Sequence, residues 1–521
     1  MEDISDIFII GGGINGCGIA CDAVGRGLSV TLCEQGDLAQ GTSSSSSKLI
    51  HGGLRYLEYF EFRLVRKALK ERETLLRIAP HIVHPMRFLL PHHKGLRPAW
   101  FIRLGLFFYD HLGGRKLLSG TRTVDLRNSP YGAPLRDDYH MAFEYSDCIV
   151  DDARLVILNA MAARNRGAQI YSRCKVLSAR REKQFWAIEI QDVMTGARQT
   201  LQAKFLINAA GPWVSDIIEN IIQPEHQETK KDEPKVRLVK GSHIVVPRIY
   251  DHDRAYTFQA GDGRVVFAIP YQNDFTLIGT TDVDYKGDLD RVQISPKEIT
   301  YLCDLVGEYF KQPLTPKDVV WQYAGVRPLF DDGVSPAQAA TRDYILDLEN
   351  GLNGMPALLN VIGGKITTYR VLAEDALEKI KPYFPGMKGK WTSGQPLPGG
   401  DIEGGDIEAE AARICAEYPG LHKGYLNRLV RSYGSLTSHV LKEAREMDAL
   451  GQYFGSDLYE TEVVYLMENE WAITAEDILW RRSKLGLHFN ETETTALDLW
   501  MNEYRKSGDS QSRKYNVQDV Q

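Results

Sequence analysis

The chain opens with a pattern that few folds accommodate. Ile7-Phe8-Ile9-Ile10 is an unbroken apolar run, as expected of a strand buried on both faces. Gly11, Gly13 and Gly16 follow at once as G-x-G-x-x-G, with Ile14 and Asn15 between them. Ile14, Cys17, Cys21 and Val24 then recur at helical spacing, and Val30-Thr31-Leu32 reads as a second strand closed by Glu34. This order of strand, glycine turn, helix, strand and acid puts a pyrophosphate on a helix N-terminus, where free N–H groups and the helix dipole favour anions. Gly11 permits the turn, Gly13 lets the backbone approach phosphate, and Gly16 lets helix and strand pack closely. Glu34 is set to accept hydrogen bonds from ribose hydroxyls. The pattern specifies a dinucleotide cofactor without choosing between flavin and nicotinamide.

With 521 residues the chain is too long for one core, and about three domains are expected. Hydrophobic residues at 43% and charged residues at 25% describe an ordinary soluble globular composition. A net charge of -7 gives no general attraction to nucleic acid, and none is expected as a partner; anionic lipid would need a local basic patch. The 7 cysteines are scattered without a C-x-x-C pair, which argues against a disulfide framework and a zinc site, and no metal is expected. Met1-Glu2-Asp3 leads straight into a strand pattern, and no signal peptide is expected there. No apolar run approaches the ~20 residues that span a bilayer. A reducing, cytoplasmic compartment is expected.

The stretch from Gly41 to Tyr56 is rich in hydroxyls, glycines and cations, and Thr42, Ser43, Ser47, Lys48 and Leu49 are candidates to line a second stretch of an extended cofactor. A serine linker is not expected there, because the stretch lies between the second strand and the helical pattern of Phe60 to Ile78. βαβ signals recur around residues 140–215 and 340–380, while 240–340 carries β-rich runs such as Val265-Val266-Phe267-Ala268-Ile269. Composition changes around Pro396-Leu397-Pro398-Gly399-Gly400, and helical patterns follow, with Thr474 and Asp477 resembling an N-cap signature. The aromatic stretch from Arg97 to Tyr109, flanked by Lys94, Arg115 and Lys116, is too short to span a bilayer but suits its interface. A core helix explains the same pattern equally well.

Ser47-Lys48-Leu49-Ile50-His51-Gly52-Gly53-Leu54-Arg55-Tyr56-Leu57-Glu58 resembles the aerobic, FAD-dependent glycerol-3-phosphate dehydrogenases of bacteria. So, in the same order, do Phe143-Glu144-Tyr145-Ser146-Asp147-Cys148, Asn208-Ala209-Ala210-Gly211-Pro212-Trp213, Lys240-Gly241-Ser242-His243 and Ile278-Gly279-Thr280-Thr281-Asp282-Val283. Gly325-Val326-Arg327-Pro328, Thr341-Arg342-Asp343-Tyr344, Gly363-Gly364-Lys365-Ile366-Thr367-Thr368-Tyr369-Arg370 and Thr474 to Arg482 continue the likeness over nearly the whole chain. The family often has threonine where Ala210 stands, and the calcium-binding loops of its mitochondrial relatives are missing, so no calcium control is expected.

The resemblance implies an amino-acid-oxidase-like α/β fold. A Rossmann-like FAD-binding domain (1–85, 140–239 and 340–395) would carry an inserted antiparallel β-sheet substrate domain (86–139 and 240–339). A C-terminal α-helical cap domain (400–505) and a disordered tail (506–521) would follow. It further implies oxidation of sn-glycerol 3-phosphate to dihydroxyacetone phosphate, with hydride passing to flavin N5 and electrons to ubiquinone or another membrane quinone. Peripheral attachment to the cytoplasmic face of the inner membrane goes with this, and a homodimer is left open. Arg55, Arg327 and Arg342, with Tyr56, look like a phosphate clamp, since a dianion asks for fixed cationic forks. His243 is the leading proton acceptor, without excluding its neighbours. Lys365 is assigned to the flavin N1–C2=O2 locus beside Ile366 and Thr367, and Arg327 to substrate orientation. Gly211 and Trp213 resemble the second flavin-binding turn, and Val176 falls on the strand flanking the adenine. An oxidase passing electrons to oxygen, a related amine- or hydroxy-acid-oxidising flavoenzyme, and a non-catalytic flavin-binding protein are the competing readings.

Overall fold

The structure, a computed structural model, describes residues 4–222, 236–261, 263–330, 343–351 and 354–507. Arg342, expected in the phosphate clamp, lies outside the described residues, as does the tail from 508 onward.

β1 (Ser5–Ile10), α1 (Ile14–Gly25) and β2 (Val30–Glu34) form the unit read from the sequence. β1 is central in its sheet. It pairs in parallel with β2 on one side and with Arg198–Asn208 on the other. Gln169–Ser172 extends the sheet beyond β2, and Leu358–Ile362 extends it beyond Arg198–Asn208, again in parallel. Burial on both faces explains the unbroken apolar runs: Ile7, Phe8 and Ile9 are fully buried, as are Leu206, Ile207 and Leu359. The C-terminal ends of these strands share one edge, where ligands of open α/β sheets bind.

The second sheet is almost wholly antiparallel. Its order runs Val236–Pro247, Phe275–Gly279, Val265–Tyr271, Ala255–Gln259, Val83–His92, Met141–Val150, Leu49–Ile50, and Trp321–Phe330 flanks Val236–Pro247. Met141–Val150, expected with the nucleotide domain, pairs along its whole length with Val83–His92 in this sheet. It is buried on both faces, and its alternating polar residues Glu144 and Ser146 are buried too, Glu144 against Arg87, Arg122 and Arg254. One face carries Pro296–Tyr309, whose Leu302, Val306 and Tyr309 pack with Ile244, Tyr256 and Phe258.

Residues 407–506 fold into helices around their own core, which includes Leu426, Leu429, Leu466, Ile478 and Leu497. No described helix is long and apolar enough to cross a membrane.

Candidate active site

One cleft of about 1410 Å³ runs from the C-terminal edge of the first sheet to the second sheet. At the first end the sequence dictates the geometry. Gly11 holds φ +110°, and a Cβ there would strike the Ala209 carbonyl at 2.6 Å. A Cβ on Gly16 would lie 1.9 Å from the Gly11 carbonyl oxygen, so α1 can approach β1 only because this position is glycine. Gly16 therefore shapes the turn from behind and does not line the cleft. Gly13 faces the cleft, and a Cβ there would meet only the Ser43 hydroxyl, at 3.1 Å. The Ile14 amide donates to the same hydroxyl at 3.0 Å. Asn15 donates to the Gly363 carbonyl, and its Oδ1 is buried without a hydrogen-bond partner on the cleft wall.

Glu34 closes β2 and accepts from the Gly12 and Gly36 amides at 2.7 and 2.8 Å. Burial pushes its carboxyl pKa up, and these two N–H donors pull it back. Thr42, Ser43, Ser47, Leu49, Val176, Gly211 and Trp213 complete this end, and Thr42 is fixed by donation to the Val326 carbonyl at 2.6 Å.

Toward the second sheet the cleft becomes cationic. Arg55 and Tyr56 stand on the 3₁₀ segment Leu54–Tyr59, and Arg327 on Trp321–Phe330. Lys365, Ile366 and Thr367 occupy the turn before the helix Tyr369–Ile380, and the Lys365 ammonium sits 3.6 Å from the Tyr56 ring centroid. Arg327 donates to Asp282 at 2.5 Å and to Thr280 at 3.3 Å, so one carboxylate partly balances the cluster.

Two further expected residues stand off the cleft. Lys48 is buried behind the serine loop, where its ammonium meets both Asp152 oxygens at 2.9 and 3.0 Å and the Ser44 carbonyl at 3.0 Å. It fixes the loop that carries Ser43 and Ser47 and does not line the cleft. A buried ammonium needs a carboxylate, and Asp152 supplies it. His243 is 1% exposed and also off the cleft surface. Its Nε2 meets the Ser47 hydroxyl at 2.8 Å and its ring stacks on Tyr323 at 4.8 Å. Burial first, then the charges of Arg327 and Lys48, hold its pKa well below that of free histidine.

Two cleft residues escaped the sequence reading. His51 reaches the wall between the serine loop and Arg55, edge-on to Phe267, with its amide donating to Thr367. Asp282 was visible within its motif, but only the pairing with Arg327 gives it a role.

A glycine-rich helix start and buried acid at one end of a cleft, with arginine and lysine at the other, define a dinucleotide-dependent enzyme for an anionic substrate. The chain belongs to the FAD dependent oxidoreductase family, whose model matches residues 6–370; the C-terminal domain of alpha-glycerophosphate oxidase matches residues 391–502. It is 52% identical to the D-erythritol 1-phosphate dehydrogenase of Brucella abortus, over 95% of this chain and 97% of that one. It is 49% identical to the aerobic glycerol-3-phosphate dehydrogenase of Escherichia coli, over 96% and 98%. The solved glycerol-3-phosphate dehydrogenase of Bacillus halodurans, complexed with FAD, superposes with a TM-score of 0.73 at 26% identity, covering 100% of this chain and 96% of that one.

FAD is the cofactor of this oxidoreductase. The site fits it: the wall at Gly13 carries no side chain, the Asn15 oxygen on the wall has no hydrogen-bond partner, and the Glu34 carboxylate reaches the cleft.

Proposed function

We propose that the protein oxidises the C2 alcohol of sn-glycerol 3-phosphate to dihydroxyacetone phosphate and passes the electrons to a membrane quinone. The observation that carries this reading is the convergence of Arg55, Tyr56, Arg327 and Lys365 in the cleft that also holds the cofactor residues. FAD, when bound, supplies the two-electron acceptor for the C2 hydride. Arg55 and Arg327 hold the phosphate dianion, Tyr56 adds a hydroxyl, and Arg342 belongs to the same proposed clamp. Fixing the phosphate sets C2 against the acceptor, which lowers the entropic part of the barrier. Lys365 stabilises negative charge on the reduced cofactor. The proton of the C2 hydroxyl goes to His51 on the cleft wall, while His243 orients Ser47 from behind. Asp282 keeps Arg327 in one orientation.

The test is anaerobic mixing of the holoenzyme with sn-glycerol 3-phosphate. Rapid bleaching of the flavin absorbance is expected, and an unchanged spectrum overturns the proposal. A second reading, D-erythritol 1-phosphate as the better substrate, is favoured by the 52% identical Brucella relative. Comparing kcat/KM for the two phosphates chooses between them.

Peripheral attachment to the cytoplasmic face of the inner membrane is part of the same proposal. The helix Ala99–His111 exposes Trp100 (69%) and Phe107 (54%), and Phe101, Leu104 and Phe108 stand out beside them. Arg97 and Arg103 flank these side chains, as interfacial helices on anionic lipid require. Binding to anionic liposomes at low salt is expected; no binding would sink this part.

A further inference from the structure

The loop after β2 is gripped from outside its own sheet. Glu34, Gln35, Gly36, Ala39 and Gln40 line the cofactor end of the cleft, and Asp37 sits beneath them, fully buried. Its carboxylate receives two arginines from the C-terminal helices. Arg482 binds it with two nitrogens, at 2.6 and 2.8 Å, and Arg481 adds a third contact at 2.5 Å. The arginines are held in turn. Arg482 donates twice to the Glu470 carbonyl, Arg481 binds Asp477 at 2.5 Å, and Glu470 takes a bidentate pair from Arg154. Asp477 also binds Arg173, whose backbone amide donates to the Gly36 carbonyl at 2.9 Å.

Buried ion pairs seldom add net stability, because desolvation offsets the attraction, but they fix geometry. Here the geometry fixed is that of the segment carrying Glu34. The Asp37 amide is tied to the Gln40 side chain, and the Ala39 amide to the Gly12 carbonyl, so moving Asp37 moves the ribose acid and the glycine turn together.

We propose that Asp37, Arg481 and Arg482 are positioning residues for the cofactor. Through them the C-terminal helical region, which contributes none of the cleft-lining residues, controls how slowly FAD leaves. The release of FAD from the holoenzyme, followed by flavin fluorescence after dilution, tests this. D37N and R482K should speed release at least tenfold. Should D37N fail to fold, R481K keeps the charge and should still speed release severalfold. R428K is the control: Arg428 pairs with buried Glu462 inside the same helical region, far in sequence from the loop. At a similar loss of melting temperature it should release FAD at the wild-type rate. Unchanged release in folded D37N and R482K, or equal acceleration in R428K, overturns the proposal in favour of a purely structural role.

Discussion

Two histidines near the cleft differ in ways that assign them different work. His51 lines the cleft, whereas His243 is behind Ser47 with its pKa held well below neutrality by burial and two nearby cations. A base whose conjugate acid is that unfavourable gains little from proximity. H51N should lower kcat by about 10²–10⁴-fold, the usual worth of general base catalysis. H243N should cost far less and leave the pH profile of kcat/KM unmoved. Steady-state profiles from pH 5.5 to 9 compare them, and a larger loss in H243N would reverse the assignment. Arg327 gives a second residue-scale expectation. Lysine cannot reproduce its simultaneous reach to Asp282, Thr280 and a phosphate. R327K should therefore raise KM for the phosphate substrate by roughly 10- to 100-fold, the equivalent of one charge-assisted hydrogen bond of about 1.5–3 kcal/mol.

At the scale of elements, the proposed phosphate clamp leans on a helix whose Leu106 and Tyr109 share a packed cluster with Leu54 and Tyr56. Gly52 precedes the segment Leu54–Tyr59, and its amide donates to the Tyr109 hydroxyl at 2.8 Å. That hydroxyl reaches both Asp147 oxygens at 2.8 Å, and Arg72 binds the same carboxylate at 2.6 Å. Tyr109 belongs to Ala99–His111, so the turn that aims Arg55 is braced by the helix that exposes its aromatics. Y109F leaves the Gly52 amide and one side of Asp147 buried without this partner, which should cost about 1–3 kcal/mol. Urea unfolding should show that loss, together with a severalfold rise in substrate KM. A loss of stability with unchanged KM would show that the brace does not reach the clamp.

The same elements show what the sequence could reveal. β1, α1 and β2 were legible because every contact that defines the turn is local or one strand away. Lys48 and His243 were not. Whether a lysine faces a cleft or a carboxylate behind it depends on Asp152, 104 positions along, and His243 depends on Ser47, 196 positions back. Asp282 acquires its role only when Thr280–Asp282 meets the strand of Arg327, 45 residues later. Such pairings are products of how distant elements pack together, which no local motif encodes.

The molecule as a whole carries an acid weakness in five histidines whose charged forms are disfavoured by packing. Burial lowers the pKa of His81 and His243 well below that of free histidine, those of His84 and His252 to about 4, and that of His93 below its ordinary value. Both ring nitrogens of His81 lack a hydrogen-bond partner. Since the folded pKa values lie below the unfolded value near 6.5, the unfolded chain binds more protons as pH falls through 6.5. Stability is therefore complete above about pH 6.5 and lost below it, each histidine contributing a slope of up to about 1.4 kcal/mol per pH unit. Carboxylates act in a lower window. Arginine and lysine partners oppose burial and hold Glu144 and Glu298 at about 2, so their contribution is present above the ordinary carboxylate value and disappears beneath it. The melting temperature should thus be level from pH 7 to 8, begin to fall below 6.5, and fall further below about 4.5. H81L removes the least satisfied of the five and should flatten the first limb by about a fifth while leaving the second in place. Thermal melts across pH 4 to 8 measure both limbs. An identical first limb in H81L would mean that His81 does not take up its proton with unfolding, and that the acid sensitivity lies in the other four histidines.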